Sequence, residues 1–248
     1  MRSKPVYMFH AIGTEDQIAG ADPHYAYSVS DYGLCLSKLG NVGSLKDTLS
    51  SKLDKPIFTF DDGHASNYEA ARILKFEFDG RADFFINPST VNKPNYLTWS
   101  QIREMHDWGM SIQSHSYDHV YLSDLDRIAQ KEQLSSSKKA IEDEISDEVA
   151  ILAPPGGRYN QDTLSLLSEL GYQHISISQP GRWSGASISP RIPVLRHTQV
   201  DDLVGCNRMF SRYLLKQVIK YRVTGLAKKA LGNQSYDLLR AKLLGVDG

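Results

Sequence analysis

Short apolar runs alternate with amphipathic stretches along most of this chain, and that alternation limits its fold more than any other feature. Strand-like runs occupy residues 6–9, 56–60, 82–86, 110–113, 150–152, 174–177 and 192–195. Most are separated by helical patterns. Residues 67–78 carry apolar side chains at helical spacing, and residues 99–108 follow Thr98, which suits an N-cap. Ser123 with Asp126 three positions on has the form of a capping box ahead of a charged helix reaching about residue 146. Gly171 closes a helical pattern over residues 161–170. Strand and helix in repeated alternation predict parallel βαβ units, with functional residues at the carboxyl ends of the strands. The expected class is α/β, and 248 residues at 41% hydrophobic content can bury a barrel as one body.

Composition removes several classes of function. A formal net charge of −1 supplies no overall field for nucleic acid. Cys35 and Cys206 are too few for a disulfide framework and are expected as ordinary thiols. No run approaches the roughly 18 apolar residues of a spanning helix, and residues 1–7 are too short and polar for a secretory signal. The expectation is therefore a cytoplasmic protein, peripheral to a membrane if its C-terminal segment engages one. That segment, residues 205–248, carries nine Lys and Arg against two acids, a net +7, while the preceding 204 residues carry −8. Phe210, Leu214, Leu215, Val218, Ile219 and Tyr221 recur there at helical spacing. A basic amphipathic helix of this kind suits an anionic membrane or a protein partner, and equally a helix packed on the barrel.

The chemistry concentrates at two strand ends. Phe58-Thr59-Phe60-Asp61-Asp62-Gly63 sets two adjacent carboxylates after an apolar run, and His115-Ser116-Tyr117-Asp118-His119 sets two imidazoles four residues apart after another. Either motif alone has an ordinary explanation, a turn for the first and a surface His pair for the second. Together they make two neutral imidazoles and a carboxylate, a three-ligand set that leaves room for water, with a second carboxylate free to act as a base. A third segment, Ala153-Pro154-Pro155-Gly156-Gly157-Arg158, can neither continue a strand nor start a helix. It is expected to form a shaped loop whose backbone amides either stabilise an oxyanion or serve an ordinary turn.

With these motifs the chain resembles the polysaccharide deacetylases of the NodB homology group, carbohydrate esterase family 4, over roughly residues 6–197. The resemblance implies a distorted (β/α) barrel over residues 1–204, a basic helical extension over 205–248, and a divalent metal, most often zinc. It implies Asp61 as catalytic base and Asp62, His115 and His119 as metal ligands. Gly156 would supply an oxyanion donor, Trp183 would wall the substrate pocket, and His197 would act as general acid. The Arg that pairs with the base in many members is absent, Ala153 standing at its position, and Arg158 is the candidate to compensate. The acidic residue usual before the Trp is replaced by Gly181-Arg182, and His10 at the end of the first strand is a further imidazole facing the same barrel end. The activity implied is removal of N-acetyl groups from the amino sugars of a bacterial polysaccharide or glycan intermediate. Deformylase-like hydrolysis of another C–N bond and carbohydrate binding without catalysis are the alternatives. An N-acetylated glycan is the partner implied, and residues 205–248 could also meet a glycan-assembly protein.

Overall fold

A computed structural model describes residues 3–14, 17–51, 54–208 and 210–231. Its strands are β1 (Lys4–Phe9), β2 (Ala11–Ile12), β3 (Ala26–Tyr27), β4 (Ile57–Phe60), β5 (Asp83–Ile86), β6 (Ser111–Ser114), β7 (Ile151–Leu152), β8 (His174–Ile177), β9 (Arg182–Trp183), β10 (Ile188–Pro190) and β11 (Ile192–Pro193). The helices are α1 (Val29–Leu39), α2 (Leu45–Ser51), α3 (Ser66–Phe78), α4 (Trp99–Asp107), α5 (Arg127–Ile145), α6 (Gln161–Glu169), α7 (Val200–Cys206) and α8 (Arg212–Leu231). The main sheet runs β10-β8-β7-β6-β5-β4-β1-β11, parallel throughout that path, with the short β9 antiparallel to β1. This is the α/β barrel that the alternation predicts.

The barrel closes in an unusual place. One extended stretch supplies both β10, which pairs with β8, and β11, which pairs with β1. The two ends of the sheet are thus joined by consecutive residues, and Arg191 sits at the break between them. Arg191 is fully buried.

Alternation along the strands separates two apolar layers. Tyr7, Phe9, Phe58, Phe60 and Phe84 pack with Tyr32, Leu36, Ala70 and Leu74 of the covering helices. Register aligns Phe9 with Phe60 and Phe60 with Phe84, and their rings stack at 5.2 and 4.7 Å. The opposite strand face sets Val6, Ile57, Phe85, Ile151 and Trp183 in a smaller cluster. Fully burying an aromatic or branched side chain contributes about 1.5–3 kcal/mol, so these layers supply most of the drive to close the sheet. Where the ladder between β6 and β7 thins to a single register pair, the Gln113 side chain accepts from the amides of Ala150 (3.0 Å) and Ile151 (2.8 Å).

Local signals hold in most places. Thr98 caps α4 in a full capping box with Gln101. The start of α5 differs from expectation. Its N-cap is Asp126, whose carboxylate accepts from Ala129 N–H at 2.8 Å, while Ser123 lies in a preceding 3₁₀ turn. Cys35 and Cys206 are buried free thiols.

At the amino end of the barrel a carboxylate takes over a capping task. Asp83, fully buried at the start of β5, accepts from the amides of Leu45 (2.5 Å) and Lys46 (3.3 Å) at the first turn of α2. Burial pushes its carboxyl up to about 7, against the pull of those amides and of Ser111. A folded-state value above the unfolded one favours the folded state at low pH, and that contribution is lost as pH rises through about 7. Asp83→Asn is therefore expected to gain stability relative to wild type between about pH 4 and 7, at up to about 1.4 kcal/mol per pH unit. Urea unfolding of both proteins across that range tests it, and a pH-independent difference would refute it.

Candidate active site

β4 and β6 deliver the two motifs to one end of the barrel, as their carboxyl-terminal positions require. β4 ends at Phe60, and the next two residues diverge. Asp61 keeps the inward direction of Ile57 and Thr59, and its N–H donates to Phe9 O at 3.0 Å. Asp62 takes a left-handed backbone, φ +73°, and Gly63 follows at φ +65°. Asp tolerates that region better than most residues, so the turn tendency of Asp-Asp-Gly is used, and it aims the neighbouring carboxylates apart. Ser116 and His119 also have positive φ, at +66° and +59°. Such backbones persist only where surrounding contacts hold them. Here Gln133 of α5 accepts at one oxygen from Ser116 Oγ, Tyr117 N and Asp118 N, and donates to Asp118 Oδ2. The amide of Asn87, just past β5, donates to the carbonyls of His115 and Ser116.

Asp62, His115 and His119 converge. Asp62 Oδ1 lies 3.2 Å from Nε2 of each histidine, and the three donor atoms all lie within 4.8 Å of one another. Ligands about 2.1 Å from a tetrahedral ion would be about 3.4 Å apart, so the spacing fits a small divalent metal. His115 adds a stronger argument. Its Nδ1 stands 2.6 Å from the Ala153 carbonyl, which can only accept, so Nδ1 carries the proton. That leaves Nε2 as the ring nitrogen turned toward the Asp62 carboxylate, the position from which an imidazole ligates a metal. At 3.2 Å the two atoms suit either a shared proton or a metal ion held between them. Burial pushes Asp62 up, but the contacts with His115 and His119 outweigh it and hold the carboxyl well below its ordinary range. No matching partner holds His119 Nδ1 among the described residues, and its side chain is 44% exposed.

Asp61 has a different environment. Arg191 grips it with both nitrogens, Nη1 to Oδ1 at 2.6 Å and Nη2 to Oδ2 at 2.8 Å, and Nη1 also donates to Thr59 Oγ1 at 3.2 Å. Burial raises the Asp61 carboxyl, and the Arg191 charge outweighs it, so the net direction is down. Arg191 thus occupies the place expected of Arg158. The Arg158 guanidinium instead stacks over the Tyr121 ring at 3.9 Å. A lone arginine between apolar and proline residues, Ile188-Ser189-Pro190-Arg191-Ile192-Pro193, was the available signal, because a buried charge must find a partner.

The remaining expected residues separate. Gly156 sits at φ +60° in the third loop, where a Cβ would come within 2.7 Å of the Tyr121 ring. The turn bonds there use the N–H groups of Gly157 and Arg158, leaving the Gly156 N–H outside both. Trp183 corrects the expectation. β9 pairs it with Lys4 at the amino end of β1, about 17 Å of strand from Phe9. It is buried there against His174, its Nε1 donating to Ala186 O at 2.7 Å, and it walls no pocket at the carboxyl end. Its neighbour Arg182 binds the carbonyls of Ser3, Cys206 and Arg208, so Gly181-Arg182-Trp183 ties the barrel floor together. His197 is exposed on the carboxyl rim, beside a cavity of about 200 Å³ that it lines with His24, Arg196 and Tyr213. The His10 ring lies 4.4 Å from that of Tyr25, tilted to it, and its buried Nδ1 has no hydrogen-bond partner among the described residues.

A polysaccharide deacetylase family profile matches residues 52–175, half of the sequence. The chain belongs to the polysaccharide deacetylase family. YxkH of Bacillus subtilis (strain 168), assigned to the polysaccharide deacetylases, is 33% identical over 125 residues, which cover 50% of this chain and 45% of that protein. The peptidoglycan-N-acetylglucosamine deacetylase of Bacillus cereus is 25% identical over 151 residues, 59% of this chain and 68% of that one. The chain thus aligns with about half to two thirds of these relatives. Among solved structures, the Streptococcus pyogenes deacetylase PplD in complex with acetate shares the fold with a TM-score of 0.74, at 24% identity over 84% of this chain and 99% of that one. In this deacetylase-family chain Arg191 and His10 both lie outside the matched stretch.

Removing one partner of a buried ion pair strands the other charge, at about 3–5 kcal/mol. Arg191→Met should therefore lower stability by about that amount. Adding Asp61→Asn should recover a large part of it, since the stranded charge is gone. Urea midpoints of the single and double variants test this, and no recovery would deny that the cost is electrostatic.

Proposed function

We propose that the chain is a metal-dependent hydrolase that removes N-acetyl groups from amino sugars of a bacterial polysaccharide or glycan intermediate. The observation that carries this reading is the pairing of a three-ligand set with a separately held carboxylate beside it. Family membership supports the reaction class, and the His115 tautomer supports the metal, with zinc the ion best matched to one carboxylate and two imidazoles.

Asp62, His115 and His119 would hold the ion. When bound it supplies Lewis-acid polarisation of the acetamide carbonyl and a more acidic water. The chain's own groups do the rest. Asp61, kept ionised by Arg191, takes a proton from the attacking water, and the bidentate clamp fixes the direction in which its oxygens face. The clamp lowers the basicity of Asp61 and gains orientation in return. The Gly156 N–H, free of the turn bonds, is the proposed backbone donor to the developing oxyanion. Arg158 on Tyr121 forms a cationic aromatic surface beside that loop, suited to the hydroxyls and face of a sugar ring.

Protonation of the leaving amine needs an acid. Motif position proposes His197, and one observation favours His10, whose buried Nδ1 lacks a partner among the described residues. Burial pushes the His10 pKa down, and the charges of Asp62 and Asp61 offset that only in part.

Acetate release from N-acetylated glycans, with and without chelator, tests the reaction. Asp61→Asn should keep metal affinity and lose about 10²–10⁴-fold in kcat, and a loss of only a few-fold would refute the base. His10→Ala is expected to lose on the order of 10²-fold and His197→Ala only a few-fold. The reverse order would return the acid role to His197. Metal binding without acetate release from any N-acetylated glycan would favour another C–N bond as the target.

A further inference from the structure

We propose that the outward face of α8 is a docking surface for an anionic lipid bilayer. The helix is apolar on two sides. One side packs inward, where Tyr213 is buried and its hydroxyl donates to Pro193 O at 2.9 Å and meets Thr198 Oγ1 at 3.0 Å. Leu214 and Val218 are half-buried on that flank. The other side carries Leu215, Ile219 and Val223, each four residues from the next and therefore on one stripe, with exposures of 52, 54 and 60%. Phe210, in the lead-in to the helix, is 87% exposed. Other large exposed apolar residues, such as Leu34, Leu49 and Ile128, stand apart in sequence on separate helices.

Charge identifies what this face meets. At 100° per residue Lys216 and Lys220 fall beyond one edge of the stripe and Arg222 beyond the other, while Arg212 lies within its span at the start of the helix, and all four are exposed. No acidic residue occurs between Asp202 and Asp237. Apolar side chains at the centre with long cationic side chains at both edges suit a lipid interface, where the stems lie along the acyl boundary and the charges reach the phosphates. Protein interfaces are instead depleted in lysine. A symmetric contact with a second copy would set these like charges against each other. The start of the helix is fastened to the barrel from both sides, Arg182 holding the Cys206 and Arg208 carbonyls and Tyr213 reaching Pro193 O, so a docked α8 would carry the barrel with it. The inference is independent of the proposed reaction.

Sedimentation of the full chain with vesicles tests it, using phosphatidylcholine alone or mixed with phosphatidylglycerol, at low and high salt. Wild type is expected to sediment with the phosphatidylglycerol vesicles at low salt and to be released by high salt. Leu215→Glu/Ile219→Glu/Val223→Glu is expected to fall to background, with thermal unfolding unchanged because these side chains are exposed. Lys216→Gln/Lys220→Gln is a milder variant, expected to weaken binding on the order of tenfold. Absence of wild-type binding at low salt would overturn the proposal, as would undiminished binding by either variant. So would light scattering that shows the stripe consumed in self-association.

Discussion

The Arg191–Asp61 pair joins what would otherwise be two independent problems, closing the barrel and orienting the carboxylate proposed as the base. Arg191 stands where one extended segment leaves one edge of the sheet and joins the other. Its guanidinium crosses the interior to the end of β4 and binds both oxygens of Asp61. A bidentate fork tolerates little rotation, so the seam strand and β4 are held in one register. The interior accepts this pair because each charge satisfies the other. A lone carboxylate at the same depth would be driven toward its neutral form.

The adjacent carboxylates show how one dipeptide can perform two tasks. Like charges on consecutive residues ordinarily share a proton or repel. Here the left-handed turn at Asp62 sends one toward an arginine and the other toward two imidazoles, and both are held ionised for different reasons. Arg191 offsets the charge of Asp61 within the barrel. The imidazoles of His115 and His119 face Asp62. In the proposed reaction this division would separate proton transfer from metal ligation.

Most of the sheet is legible in the sequence, because strand period is a local property, whereas the grouping of Asp62 with His115 and His119 comes from the family resemblance. What escaped was carried by long-range closure. Arg191 lies 130 residues from Asp61, and only the seam brings them together. Trp183 misled for a related reason. An aromatic in a Gly-Arg-Trp phrase looks the same whether its strand pairs at the floor or the mouth of a barrel, and pairing with Lys4 puts it at the floor. At α8 the spacing of apolar residues was visible, but two stripes of opposite fate overlap in one helix. Only packing reveals that Tyr213 is buried while Leu215 and Ile219 are not.

The bond from His115 Nδ1 to Ala153 O gives the centre a peculiar robustness. The group that selects the ring's tautomer belongs to the main chain, so no replacement of a side chain at residue 153 deletes it. Drift at that position can alter how tightly the loop packs, yet the acceptor stays, provided the backbone path stays. The loop's prolines and glycines set that path. A lineage could therefore rewrite the side chains of this loop while His115 keeps its proton on the same nitrogen.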